Sequence, residues 1–326
     1  MPRGRAPERS AAALSRGTAS ATPAAPTPAA PTPAAPTPAT PTPATATPAT
    51  AQGGSELQRR LARRAALVAS AAGDDLASGP PPRALDLGRP ARLAPTARGA
   101  LARTSTFARD HAHGARSLAE GLAYDPALLA ASAKDERLAG LDLSRAVYLD
   151  TETSGLSGGA GTYVFLVGLG TFGPLGFEVW QGFLADPGDE RALLAETAER
   201  IAAASAVVSF FGKSFDRHRL EDKMRMHGVT PPFAALPHLD LYWPLRRLFG
   251  GRFENGRLKT LERELCGVVR DDDLPGSFAP AAWFDFLGDR PHRLEGVFRH
   301  NLEDVLSLVV LLPHAAQPLP ERTKPR

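Results

Sequence analysis

Val147-Tyr-Leu-Asp-Thr-Glu-Thr-Ser-Gly-Leu156 is an apolar run that ends in two acids two positions apart. On a strand that continues through them, Asp150 and Glu152 point to one face. Two carboxylates about 4 Å apart repel by roughly 4 kcal/mol at an effective dielectric of about 20, unless one is protonated or a cation lies between them. A hard divalent cation with oxygen ligands, Mg2+ or Mn2+, suits such a pair. A turn cap beside a solvated acid accounts for the same residues without chemistry, so the choice rests on residues further along the chain.

Two more acids are placed to join them. Asp216 closes Ser209-Phe-Phe-Gly-Lys-Ser-Phe-Asp216, just past the apolar run Ala206–Phe211 and at or inside the next helix. Open α/β sheets bind their ligands there, beyond the carboxyl ends of the strands. Asp304 lies in a long segment whose stripe Leu294, Val297, Phe298, Leu302, Val305, Leu308, Val309 and Leu312 repeats at helical spacing. His300 is one turn earlier, on the same face and off that stripe. Glu303 is a rival to Asp304 but points about 100° away round the helix and ranks second.

The elements that must gather these side chains show in the periodicity. Residues 154–161, SGLSGGAG, form a glycine-rich turn, followed by the apolar runs Thr162–Phe172 and Phe177–Phe183 with Gly and Pro between them. With the acidic run, these predict three antiparallel strands. Asp189–Ala204, entered through Pro-Gly-Asp, carries Leu193, Leu194, Ala198 and Ile201 at helical spacing. A strand at Ala206–Phe211, a helix at Phe215–Met226, a strand at Leu236–Leu241 and further helices complete the order. This is an α/β fold, a mixed sheet of three antiparallel strands and then parallel strands, flanked by helices on both faces.

Two glycine signals fail as phosphate loops. Gly212-Lys213-Ser214 resembles the tail of a Walker motif, but Val207 occupies the position of the required first glycine. The 155–161 loop lacks the dinucleotide spacing and precedes a strand. It suits a hairpin turn that lets a ligand approach the backbone.

Composition bounds the rest. Residues 18–51 of the 326-residue chain are almost wholly Ala, Thr and Pro, so residues 1–54 are expected to be a disordered, polyproline-like tether. The first 125 residues hold 15 Arg and no Lys against 8 acidic side chains, although the whole chain nets only +3. A basic front on a mildly acidic back suits a nucleic-acid partner, and arginine-rich codon usage accounts for it equally. Residues 56–72 suit an Arg-rich amphipathic helix, residues 73–104 a loop, and His111 and His113 surface or turn positions without a third metal ligand. Cys266 is the single cysteine, which excludes an internal disulfide and permits a reducing cytoplasm. No stretch approaches the roughly 20 apolar residues of a spanning helix, and MPRGRAPERS lacks the apolar core of a secretory leader, so a cytoplasmic protein without membrane contact is expected.

Together VYLDTETSGL, SFFGKSFD and RHNLEDVLSL resemble the three motifs of the DEDD superfamily, 3′–5′ exonucleases of the ribonuclease H fold. Residues 258–280, LKTLERELCGVVRDDDLPGSFAP, are similar to a block of YprB-like bacterial ribonuclease H-like proteins, and the likeness runs from about Arg145 to Leu312. The resemblance implies a ribonuclease H-like nuclease domain over residues 141–316, between a basic extension (55–140) and a flexible tail (317–326). It implies that Asp150, Glu152, Asp216 and Asp304 hold two Mg2+ or Mn2+ ions, and that His300, with Asp304, positions or deprotonates the attacking water. Thr151, Lys213 and Phe215 are the candidate substrate contacts; Lys213 suits a phosphate contact and a solvated loop lysine equally. Arg270 and Asp273 are expected to form a structural ion pair. The sequence departs from the pattern in two places: His300 takes the spacing of the tyrosine subtype, and Phe211 stands where asparagine is usual. The expected function is a metal-dependent 3′–5′ exonuclease acting on DNA rather than RNA, with a role in DNA repair and a helicase as a possible partner. The alternatives are a nucleic-acid-binding or helicase-accessory module with weak or lost catalysis, and an RNA-directed or endonucleolytic enzyme on the same site.

Overall fold

Apolar, β-branched and aromatic runs make the main strands of the computed structural model, which describes residues 92–155, 161–270 and 274–320. In chain order the strands are β1 (Ala94–Pro95), β2 (Leu101–Phe107), β3 (Ala112–His113), β4 (Arg116–Ser117), β5 (Val147–Thr153), β6 (Val164–Gly173), β7 (Gly176–Phe183), β8 (Val207–Ser209) and β9 (His238–Asp240). The helices are α1 (Pro126–Ala133), α2 (Glu190–Ala202), α3 (Asp216–Met226), α4 (Tyr242–Phe249), α5 (Leu258–Cys266), α6 (Ala279–Leu287) and α7 (Leu294–Ala315). Local chemistry sets several ends. Asp125 accepts from the N–H groups of Ala127 and Leu128 and, with Pro126 behind it, starts α1. Gly267, in the left-handed region, ends α5.

The seven-stranded sheet has the order β1-β2-β7-β6-β5-β8-β9. The pairings from β1 to β5 are antiparallel, and β8 and β9 add in parallel beyond β5. The expected mixed α/β architecture is therefore present, and the carboxyl ends of β5, β8 and β9 share one edge. Apolar side chains of α1, α4, α5 and most of α7 cover the face that holds Tyr148. Those of α2, α3, α6 and the first turn of α7 cover the face that holds Val147 and Leu149.

Three expectations change. The end of the 73–104 loop is ordered: β1 and β2 extend the antiparallel sheet, with Leu101 to Phe107 paired along β7 from Phe183 to Phe177. The polar Arg-Thr-Ser-Thr centre of LARTSTF and its Gly, Pro and Arg flanks hide this strand from the pattern. The 206–211 strand stops at Ser209, because Phe211 adopts φ +60° and turns the chain out of the sheet. His113 is fully buried rather than at the surface, bonded to Ser307 Oγ at 2.8 Å, and burial lowers its pKa to about 3. The Ala/Thr/Pro tether, the 56–72 helix, most of the glycine-rich turn, Asp273 and the end of the tail lie outside the described residues.

Candidate metal and nucleic-acid site

Asp150 and Glu152 stand on β5 opposite Gly168 and Leu166 of β6. Crossing the sheet at that level, Asp150 pairs with Gly168, Gly168 with Gln181 of β7, and Gln181 with Arg103 of β2. Gly168 has no side chain, and α7 fills the space with Asn301, whose Oδ1 would collide with a Cβ added at Gly168. A polar relay results. Arg103 Nε donates to Gln181 Oε1 (2.9 Å), Gln181 Nε2 donates to Asn301 Oδ1 (2.8 Å), and Asn301 Nδ2 donates to Asp150 Oδ2 (2.8 Å). Gln181 and Asn301 are fully buried, so every amide atom in the relay has its partner where water cannot replace it.

Asp216 begins α3 and accepts a short hydrogen bond from the Thr151 hydroxyl. A Cβ on Gly212 would lie 2.8 Å from Asp216 Oδ2, so only glycine lets this loop run so close to the carboxylate. Thr151, a candidate substrate contact, orients Asp216 through its hydroxyl hydrogen bond. Phe215 is the residue before α3, half-buried beneath the Arg219 guanidinium. Lys213 is half-buried, with its N–H on Asp240 Oδ2 (3.1 Å).

On α7, Asp304 meets Arg270 Nη2 at 2.5 Å, and His300 Nε2 lies 3.6 Å from Asp304 Oδ2. Arg270 is nearly inaccessible and holds Glu262 through Nε (2.6 Å) and Nη2 (2.7 Å), while Glu303 Oε2 lies 3.6 Å away. Burial alone would lower the Arg270 pKa, but the surrounding Asp304, Glu262 and Glu303 raise it well above the ordinary value. Arg270 Nη1 also meets His300 Nδ1 at 3.3 Å. A guanidinium only donates, so that nitrogen accepts and the proton of a neutral ring sits on Nε2. Glu303, the rival ligand, is fully buried against Arg299 (3.0 Å) and Arg270. The Arg270 ion pair expected within the 258–280 block therefore runs to Glu262 and Asp304. Ser307 and His113 extend the network, because Ser307 Oγ donates to Glu262 and meets the His113 ring.

The four expected acids share one field. Burial first, then the charges of Asp304, Asp216 and Glu152, push the Asp150 pKa well above the carboxylate range. Burial likewise raises Asp216 to about 6 against its hydrogen bond from Thr151, with Asp240 and Asp304 adding to the rise. Donors that repel one another in a buried place, all of them carboxylate oxygens, fit a hard divalent cation in kind. Their placement is not that of a closed coordination shell: among the described residues no three His, Cys, Asp or Glu side chains converge to hold an ion. Three of the four carboxylates are turned to protein partners instead, Asp150 to Asn301, Asp216 to Thr151 and Asp304 to Arg270. Gln181, Arg103 and Gly168 lie in no quoted motif, and Asn301 and Glu262 lie within RHNLEDVLSL and the 258–280 block without standing out there. Only their contacts identify them.

Residues 147–316 match the family described as the RNase_H superfamily, which is more than half of the chain. The chain is 34% identical over 180 residues to an uncharacterized protein, YprB, of Bacillus subtilis (strain 168), a match covering 55% of this chain and 43% of that relative's length. A structure of the family B DNA polymerase from the hyperthermophilic archaeon Pyrobaculum calidifontis aligns with a TM-score of 0.39 and 17% identity, over 52% of this chain and 26% of that one.

Proposed function

This chain belongs to the RNase_H superfamily, and from that membership we propose that it is a divalent-metal-dependent nuclease, a 3′–5′ exonuclease of the DEDD type acting on DNA. The observation that carries the proposal is the gathering of Asp304, Asp216 and Glu152 around buried Asp150, where burial and these charges raise its pKa. Acids that raise one another's pKa in a buried place carry an electrostatic cost, and a bound cation would turn that cost into binding. Polarity and the preference for DNA rest on the likeness of the three motifs to 3′–5′ exonucleases.

In this reading Asp150, Glu152, Asp216 and Asp304 hold two Mg2+ or Mn2+ ions. Bound there, they supply an ionised water near neutral pH and neutralise charge on the phosphodiester. Asn301 fixes the Asp150 carboxylate at Oδ2 and leaves Oδ1 for a ligand, while Thr151 orients Asp216. Arg270 pairs with the Asp304 carboxylate and fixes the His300 ring by its Nδ1. To take the water's proton at Nε2, His300 must first present that nitrogen unprotonated, which needs the Arg270 contact to shift. Lys213 and Phe215, on the loop before α3, are the proposed substrate contacts. A helicase is the proposed partner, and DNA repair in the cytoplasm the proposed setting. No helix among the described residues is long and apolar enough to cross a membrane.

A second reading has its own support. Arg270 on Asp304 already neutralises part of the site, as expected of a nucleic-acid-binding module with weak or lost catalysis. Degradation of a 5′-labelled DNA strand with Mg2+ or Mn2+, alongside a matched RNA and the variants Asp150→Asn and Asp304→Asn, separates the two. A metal-dependent ladder shortening from the 3′ end, lost in both variants, supports the exonuclease. Binding without cleavage by the folded protein leaves the accessory module.

A further inference from the structure

Beside the carboxylates the protein exposes aromatic rings where its own backbone resists them. Phe211 adopts φ +60° yet is 45% exposed. A bulky residue in that region is strained, and glycine would occupy it without penalty. The conformation is imposed by Asp240, a buried carboxylate whose Oδ1 accepts from the N–H of Phe211 (2.7 Å) and of Tyr242 (3.2 Å). One side chain thus sets the positions of two aromatic residues from different elements. The Phe211 and Tyr242 rings meet edge to face at 4.9 Å, Tyr242 and Trp243 at 5.1 Å, and Trp243 is 38% exposed. Phe211 and Trp243, partly exposed at the two ends of this row, are the rings accessible to a planar ligand.

The surroundings specify that ligand. Arg246 lies over Tyr242 (5.8 Å) and Trp243 (6.0 Å), and exposed Arg257 lines an open groove of about 450 Å³ together with Phe210, Phe211, Tyr242 and Leu258. Exposed arginines interleaved with aromatic rings match alternating phosphates and bases along one strand. The shelf also adjoins the acids, because the residue after Phe211 is Gly212, which abuts Asp216. We infer that Phe211, Tyr242 and Trp243 form a stacking shelf for unpaired bases of single-stranded nucleic acid, with Arg246 and Arg257 on its phosphates, leading the strand to the carboxylate site. The inference rests on the nuclease reading for its direction toward the acids, but the shelf binds its strand without metal and without cleavage.

The test is equilibrium binding of the full chain to a fluorescein-labelled oligothymidylate in metal-free buffer, beside an abasic strand of equal length. Phe211→Gly is the decisive variant, since it removes the ring and suits the left-handed backbone; its thermal stability is expected to equal or exceed that of the parent. The expected result is about ten-fold weaker binding of the oligothymidylate and unchanged binding of the abasic strand, with Trp243→Leu acting in the same direction. Unchanged affinity in Phe211→Gly, an equal loss on both strands, or no binding by the parent protein overturns the shelf. Base-dependent binding without cleavage when Mg2+ is added upholds the shelf and overturns the nuclease reading. Cleavage with a Phe211→Gly affinity equal to the parent's does the reverse.

Discussion

Asn301 Nδ2 donates to Asp150 Oδ2 across 2.8 Å, and it reaches that atom because the residue opposite Asp150 on the neighbouring strand is Gly168. The orientation of the leading acid is therefore decided by a side chain on the last helix and a missing side chain on β6. Gly168→Ala should displace Asn301, and Asn301→Leu should remove the donor while roughly keeping the volume. Each is expected to lower metal-dependent cleavage by about 10- to 100-fold, the usual effect of losing a partner that orients a ligand. Mg2+ titration of the rate checks this, and a loss confined to maximal rate at saturating Mg2+ would contradict a ligand-orienting role.

Arg270 faces three acids, of which Glu262 and Glu303 are fully buried. Removing the cation alone leaves uncompensated charge in the interior. Arg270→Met should cost about 3–5 kcal/mol in urea unfolding. The double variant Arg270→Met/Glu262→Gln should recover part of that, because fewer buried carboxylates then lack a partner. Additive losses in the double-mutant cycle would argue that the two side chains act separately.

The contribution of the clustered acids to metal-free stability should fall as the pH rises. Asp216 is raised from 3.8 to about 6 in the fold, so between these values the folded protein holds the proton that the unfolded chain has released. More protons bound by the folded state means stability declines with rising pH across that window, by on the order of 3 kcal/mol, and stays low above it. Asp150 shifts in the same direction. A divalent cation replaces the proton, so Mg2+ or Mn2+ should raise the melting temperature more at a pH of about 8 than at about 5. Melting curves at both pH values with and without metal test this, and an equal shift at both would contradict it.

The acid limb has the opposite sign and another origin. His113 and His238 are buried, and burial lowers both from 6.5 to about 3. Their contribution is complete above 6.5 and is lost as pH falls toward 3, because the unfolded chain takes up the proton first. Each histidine should remove about 1.4 kcal/mol of stability per pH unit within that window. His113→Gln should make the acid limb shallower by that amount, as read from urea unfolding at stepped pH; an unchanged slope would show that His113 does not carry it.

Local pattern by itself determined much of this protein. The two-residue spacing in β5, the helical stripe of α7 and the alternation of strands and helices depend only on nearest neighbours, so Asp150, Glu152, His300 and Asp304 and the α/β class were legible as a string. The tertiary structure alone decided what those acids touch. Asn301, Gln181 and Arg103 form a relay only after β2, β7, β6, β5 and α7 are assembled. Glu262 reaches Arg270, Asp304 and His113 only through α5, α7 and a hairpin whose residues read as turn or surface. Spacing records which face a side chain occupies; burial and charge pairing depend on what packs above it, and that partner is far away in the chain.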